Sequence, residues 1–253
     1  MTQDGAVYPM GYQIEIEPDL SRKDFTGTVQ IHLHADQPTQ IVALNLLDIA
    51  VRRCTMIRAG TLVDCPFTVD LADETLRINL PEPIDGDISI KIDYYGEINQ
   101  SMAGFYQSHY TADGQKNLIA VTQFQESDAR RAFPCMDHPV YKAWFEVSLT
   151  VDTHLTAISN TPIDGQTTLE NGKSKVTFQQ TPKMSTYLLF FGVGDFEHRA
   201  GAVDERVRIV WLPGMADVTE YGLQFGEKAL QYCESYFGIP YPLPKLDLIA
   251  VPD

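Results

Sequence analysis

Val121-Thr-Gln-Phe-Gln-Glu-Ser-Asp-Ala-Arg-Arg-Ala-Phe-Pro-Cys-Met-Asp-His-Pro139 is the stretch on which the reading of this chain turns. Its start continues the apolar run from Leu118 and reads as the end of a β-strand. Successive strand side chains point to opposite faces, so Gln123 and Gln125 share one face while Thr122 and Phe124 share the other. Two neighbouring amides offer both carbonyl acceptors and N–H donors to whatever lies above them. Strict alternation carries Glu126 to the opposite side unless a bulge re-aims it. Ser127 to Phe133 suits one helical turn, which Pro134 would stop.

Outward from this stretch the pattern is of strands. On the amino-terminal side Tyr12, Ile14 and Ile16 alternate with Gln13, Glu15 and Glu17, and Val29, Ile31 and Leu33 repeat the alternation. His32 and His34 share the other face of that segment. Two histidines at this spacing can begin a metal site, but no third ligand is evident nearby, and a solvated face accounts for them. Further segments follow at Ile41–Ile49 and Leu76–Leu80, with an Asp85-Gly86 turn before Ile88, Ile90 and Ile92. Beyond the central stretch, Phe145 to Val151 alternates again. Asn171-Gly172 is the strongest hairpin signal, set between Thr167–Glu170 and Lys173–Phe178. Many short strands without a long helical pattern before about residue 214 predict a mainly β fold built on an antiparallel sandwich.

The character changes after Trp211-Leu-Pro-Gly. Val218, Tyr221, Phe225, Ala229, Tyr232 and Tyr236 recur at helical spacing and predict one packed apolar face, with Asp217 as cap and Glu220 three residues on. Gly238 fits a carboxy-terminal cap. Pro240, Pro242 and Pro244 then force an extended path into a strand from Leu246 to Val251. The expected division is a β domain over residues 1–206, followed by the opening of an α/β domain over 207–253.

Composition sets further bounds. With 19 Lys and Arg against 34 Asp and Glu, the formal charge is −15. No basic run offsets this, which argues against nucleic acid or an anionic membrane as partner. No apolar stretch reaches membrane-spanning or signal-peptide length, so a cytoplasmic location is expected. Cys54, Cys65, Cys135 and Cys233 lack metal-ligand spacing and read as buried free thiols. None of the six histidines stands in an H-E-x-x-H arrangement, so no catalytic or metal-ligating residue is assigned to this chain.

Thr122-Gln-Phe-Gln followed by Asp128-Ala-Arg-Arg-Ala-Phe-Pro-Cys-Met-Asp resembles the T-Q-F-E-x-x-D-A-R-R-A-F-P-C-F-D-E-P signature of zinc aminopeptidases related to aminopeptidase N and leukotriene hydrolase. Gly104-Phe-Tyr-Gln-Ser, Met184-Ser-Thr-Tyr-Leu-Leu, Gly194-Asp-Phe-Glu and Tyr236-Phe-Gly-Ile-Pro-Tyr-Pro-Leu-Pro-Lys-Leu-Asp-Leu extend the resemblance over most of the chain. It implies a saddle-like β domain followed by the first helix and strand of a truncated thermolysin-like domain. It further implies that the G-A-M-E-N and H-E-x-x-H motifs, and the zinc they serve, belong to a catalytic domain missing from this sequence. Gln123 and Gln125 would then form one wall of the cleft that receives the amino terminus of a peptide substrate. Gln125 stands where many members carry Glu, and His138 where Glu is usual; no role is attached to His138.

Arg130 and Arg131 suit either a substrate-carboxylate clamp or structural pairing with Asp128, Asp137 or turn carbonyls, and buried arginines need partners, which favours pairing. Phe105 and Tyr106 read as core. The alternative to the enzyme reading is a stand-alone β-sandwich module that uses the two glutamines to bind a peptide or partner without catalysis.

Overall fold

The computed structural model describes residues 7–58, 60–215 and 219–252. Its largest layer is a nine-stranded sheet made of β1 (Val7–Asp19), β2 (Asp24–Asn45), β3 (Ile49–Arg58), β4 (Thr61–Asp64), β5 (Phe67–Asp70), β6 (Thr75–Glu97), β9 (Trp144–Asp152), β11 (Ile163–Thr168) and β12 (Lys173–Phe178). A four-stranded sheet holds β7 (Gly104–Ala112), β8 (Gln115–Gln123), β10 (Thr156–Ser159) and β13 (Phe191–Gly194). A three-stranded sheet joins β14 (Glu197–Ala200), β15 (Val207–Trp211) and β16 (Leu246–Ile249), with helix α1 (Thr219–Phe237) beside it.

The fold is mainly β, as the alternation predicts. The inward residues of β1, β2 and β6 (Tyr12, Ile14, Val29, Ile31, Ile90 and Ile92 among them) form one buried cluster with Phe105, Phe124 and Phe191 of the four-stranded layer. Phe25, Phe105 and Phe191 meet edge to face across the two sheets, with centroids 5.3 and 5.2 Å apart. The other face of the four-stranded sheet packs Tyr106, Ile119, Val121 and Ile158 against Val210 and Leu212. The layers therefore run nine strands, four strands, three strands, helix.

Four expectations are corrected, the last of them at Cys233. Asp85-Gly86 does not separate two strands: β6 runs unbroken from Thr75 to Glu97, and Gly86 sits with φ +77° opposite Ala35, where the register with β2 shifts. A glycine in the left-handed region lets a long strand bulge and bend as readily as turn back. The sheet is also not wholly antiparallel, because β1 runs parallel to β9 from Gly11↔Trp144 to Ile16↔Leu149.

The third concerns α1. Asp217 and Val218 lie outside the described residues. The face turned to the sheet carries Thr219, Leu223, Gly226 and Leu230, whereas Tyr221, Phe225, Tyr232 and Tyr236 are exposed. Small residues decide this. A Cβ at Gly226 would lie 2.5 Å from Leu248 and one at Gly222 would lie 3.3 Å from Ile209, so only the glycine side can approach β15 and β16 closely. Glu220 pairs with Arg199 at 2.8 Å; its expected partner in a capping box, Asp217, is outside the described residues. Gly238 ends the helix with φ +68°, its N–H donating to the Glu234 carbonyl at 2.9 Å.

The hairpin at Asn171-Gly172 forms between β11 and β12 as expected, with Gly172 at φ +77°. All four cysteines are free. Cys54, Cys65 and Cys135 are buried, while Cys233 is exposed on α1, contrary to the expectation of burial. Burial pushes the Cys54 thiol up to about 12 and raises Cys135 well above its ordinary value, so both stay protonated and unreactive.

Position 206/207 falls between β14 and β15, which pair with each other from Glu197↔Trp211 to Ala200↔Arg208. A buried ionic cluster crosses the same region. Lys245 Nζ donates to the Ser159 carbonyl of β10 and to Asp247, each at 2.5 Å, and Arg208 holds Asp247 through two bonds of 2.6 and 2.8 Å.

Candidate functional site

Strand β8 ends at Gln123, which pairs with Gly104 at the start of β7. The inward side chains fix this strand end from below. Phe124 packs edge to face on Phe133 and Phe191, with centroids 6.0 and 5.9 Å apart. The Thr122 hydroxyl accepts the Phe191 N–H at 3.0 Å. Gln123, the last residue of β8, and Gln125, just beyond it, are both exposed, and Phe124 between them is buried.

The two amides are not equivalent. The Gln123 side-chain carbonyl accepts the Gln125 backbone N–H at 3.1 Å, so it is already engaged by the backbone. The Gln125–Glu126 peptide is cis, and Glu126 is exposed, as both glutamines are. The chain leaves the strand after Gln123, so the two-residue alternation no longer governs Glu126. The result is an exposed surface rich in carbonyl and carboxylate acceptors, chemically suited to an ammonium group or to peptide N–H donors.

Behind this surface a 3-10 turn, Ala129–Arg131, stops before Pro134 as expected. Arg130 donates to Glu74 at 2.7 Å, and its Nε donates to Asp137 at 3.1 Å. Burial opposes the Arg130 charge, but these carboxylates outweigh it and raise its pKa. Arg131 bonds Asp128 at 2.7 Å and Asp48. Both arginines are therefore braces and not a substrate clamp. Asp137, whose side chain is fully buried, gathers Arg130 and the Thr186 hydroxyl, while its N–H donates to Asn45.

Gly104 belongs to the same frame. It sits at φ +70°, and a Cβ there would lie 2.6 Å from that of Arg131. Asp48, Glu74 and Asn45 come from loops and strands remote in sequence, so no local pattern marks them as supports of this site. Phe105 and Tyr106 are core residues, as expected. His138 is exposed in the turn that follows.

The Peptidase M1 N-terminal domain family matches residues 8–188, a span that contains this strand end, its aromatic floor and its arginine braces. The chain belongs to that family. Among its relatives, Aminopeptidase M1 of Arabidopsis thaliana is 38% identical over 97% of this chain and 29% of its own length. Aminopeptidase M1-C of Oryza sativa subsp. japonica is 36% identical over 97% of this chain and 28% of its own length. Aminopeptidase N of Acetobacter pasteurianus is 35% identical, covering 97% of this chain and 69% of the relative. The chain thus spans less than a third of the two plant proteins. What it matches is the amino-terminal region of M1 aminopeptidases.

Zinc is the metal this family implies. Among the described residues no three His, Cys, Asp or Glu side chains gather where they would hold a metal ion. His32 is surrounded by Gln13, Gln30 and Ser89, and His34 by Asp87 at 2.6 Å and Asp36 at 3.5 Å. The described residues do not fit a zinc site. Among the described residues no helix is long and apolar enough to cross a membrane.

Proposed function

We propose that this chain is the amino-terminal part of a cytoplasmic zinc metallo-aminopeptidase that removes amino-terminal residues from peptides. Gln123 and Gln125 supply one wall of its substrate cleft. The zinc, its ligands and the general base belong to a catalytic domain outside residues 1–253, so this chain by itself binds no zinc and is inactive. On this reading residues 1–206 form the amino-terminal β domain and 207–253 open the thermolysin-like one. The observation that carries the proposal is the pair of amides held outward at the end of β8, on a rigid aromatic and ionic frame, within a family whose relatives are named aminopeptidases. Four unpaired thiols support the cytoplasmic location.

The division of labour follows from the hydrogen bonds. Gln123 holds the Gln125 backbone, and the Gln125 carbonyl accepts from the substrate ammonium. In the complete enzyme Gln125→Glu strengthens binding of ligands with a free amino group, because a charge-assisted hydrogen bond contributes about 1.5–3 kcal/mol against about 0.5–1.5 for a neutral one. The expected gain is on the order of 1 kcal/mol, or several-fold in inhibition constant, reduced by desolvation of the new carboxylate. An amino-blocked analogue gains nothing. Inhibition constants that move equally for free and blocked ligands would refute the assignment of Gln125.

A further inference from the structure

The face of the nine-stranded sheet turned away from the four-stranded layer, and so from Gln123, carries three adjoining hollows of about 350, 480 and 140 Å³. Glu17, Thr26 and Arg52 line both the first and the second, and Glu15 and Thr28 line both the second and the third. The three therefore form one trench along β1 and β2. Its lining falls between Gln13 and Lys173, inside the span matched by the amino-terminal domain family.

An aromatic ring stands near each end. Trp144 lies two residues before Glu146 on the same face of β9 and pairs with Gly11. A Cβ on Gly11 would lie 2.0 Å from the indole, so the ring occupies the room that the missing side chain leaves. His32 lies beside it, with centroids 5.3 Å apart. Tyr95, 45% exposed, stands in the cross-strand row Glu17–Thr26–Tyr95, with the Arg52 guanidinium 4.7 Å from its centroid. From Gly11 to Glu17 a strand covers roughly 20 Å. Between the two rings the floor is made of hydroxyls and amides, from Thr26, Thr28, Gln13 and Gln30.

Charge and chemistry select the occupant. The whole chain carries −15, yet along the trench Arg22, Arg52, Arg53, Lys91 and Lys173 all but balance the carboxylates. Lys173 is engaged by Glu17 at 2.6 Å, Arg53 by Asp64 at 2.7 Å and Arg22 by Asp24 at 2.8 Å. Little net field is left to select an anion or a cation. An extended peptide needs backbone partners at an open strand edge and pockets for its side chains. Here the backbone groups are engaged in the β1–β2 and β2–β6 ladders, and the floor is polar. A sugar asks for the opposite. Each of its hydroxyls both donates and accepts, matching hydroxyl, amide and carboxylate side chains, while the C–H face of its ring covers an aromatic.

We infer that this trench binds a neutral oligosaccharide, seated on Trp144 and Tyr95 and hydrogen-bonded by Thr26, Thr28, Gln13 and Gln30. The inference stands apart from the aminopeptidase reading.

The test titrates the whole chain with maltotetraose, cellotetraose and chitotetraose, followed by tryptophan fluorescence and by calorimetry. Trp211, the other tryptophan, is buried at the three-stranded sheet, so a spectral change on binding reports Trp144. The expected result is saturable binding of at least one tetrasaccharide with a Kd below about 1 mM. Trp144→Ala and the near-isosteric Thr26→Val should each weaken that binding roughly ten-fold in calorimetry, with the far-ultraviolet circular dichroism unchanged. Failure of all three sugars to bind would overturn the inference, as would binding that both variants leave unaltered. Tighter binding of acetyl-tetraalanine-amide, titrated in parallel, would overturn it in favour of a peptide groove.

Discussion

Removing Asp247 tests how the three-stranded sheet is joined to the four-stranded one. Its side chain is 5% exposed, and that of Lys245 8%. Arg208 and Lys245 both bond Asp247, and Lys245 also reaches the Ser159 carbonyl, linking β16 to β10. Asp247→Asn leaves two cations facing each other with no anion between them. Breaking a buried ion pair by removing one partner costs about 3–5 kcal/mol. Lys245→Met is milder, because Asp247 keeps Arg208, and costs about 2 kcal/mol.

For a chain of this size about 2–4 °C of melting temperature is lost per kcal/mol. Asp247→Asn is therefore expected to melt roughly 6–20 °C lower, and Lys245→Met roughly 4–8 °C lower. Thermal unfolding followed by the fluorescence of Trp211, with Trp144 replaced by Phe, reads the three-stranded layer directly. The order of the two variants is the critical outcome. Asp247→Asn no worse than Lys245→Met would refute the idea that the carboxylate neutralises both cations.

The pH dependence follows from the same cluster. Burial would raise the Asp247 pKa, but Arg208 and Lys245 together hold it below its ordinary value of 3.8. A depressed folded pKa means that the carboxylate stabilises the fold above pH 3.8 and that this contribution disappears as pH falls through the lower folded value. Lys245 acts in the opposite range. Burial lowers its pKa from 10.5, so stability rises with pH between its folded value and 10.5. Asp247→Asn should lose its share of the acid limb of the wild-type stability curve, measured by urea unfolding across pH, leaving the part that Asp19, Asp64, Asp204 and Glu234 contribute.

Two further outcomes are expected. Tyr12→Phe removes the buried hydroxyl that accepts the Met136 N–H at 3.1 Å and should cost about 1–3 kcal/mol in urea unfolding, since that donor is left unpaired. Gly226→Val places a side chain where a Cβ alone would be 2.5 Å from Leu248, so it should lower stability by about 1–3 kcal/mol and expose the 201–206 loop to protease.

The sequence by itself determined the β character, because two-residue alternation in Tyr12–Ile16, Val29–Leu33 and Phe145–Val151 has one physical solution, a strand with one buried face. It also determined the outward placement of Gln123 and Gln125, since Thr122 and Phe124 between them had to go inward. Motif order from Gly104 to Leu248 carried the family. Tertiary structure decided what periodicity leaves open. A three-to-four-residue repeat locates stripes on α1 but not which stripe faces the sheet, and the bare backbone at Gly222 and Gly226 won over the aromatics because close approach to β15 and β16 requires absent side chains. Likewise, only the assembled layers bring Asp48, Glu74 and Asn45 to the arginines and Asp137 behind the glutamines. Those contacts join residues far apart in the chain, and no local pattern encodes them.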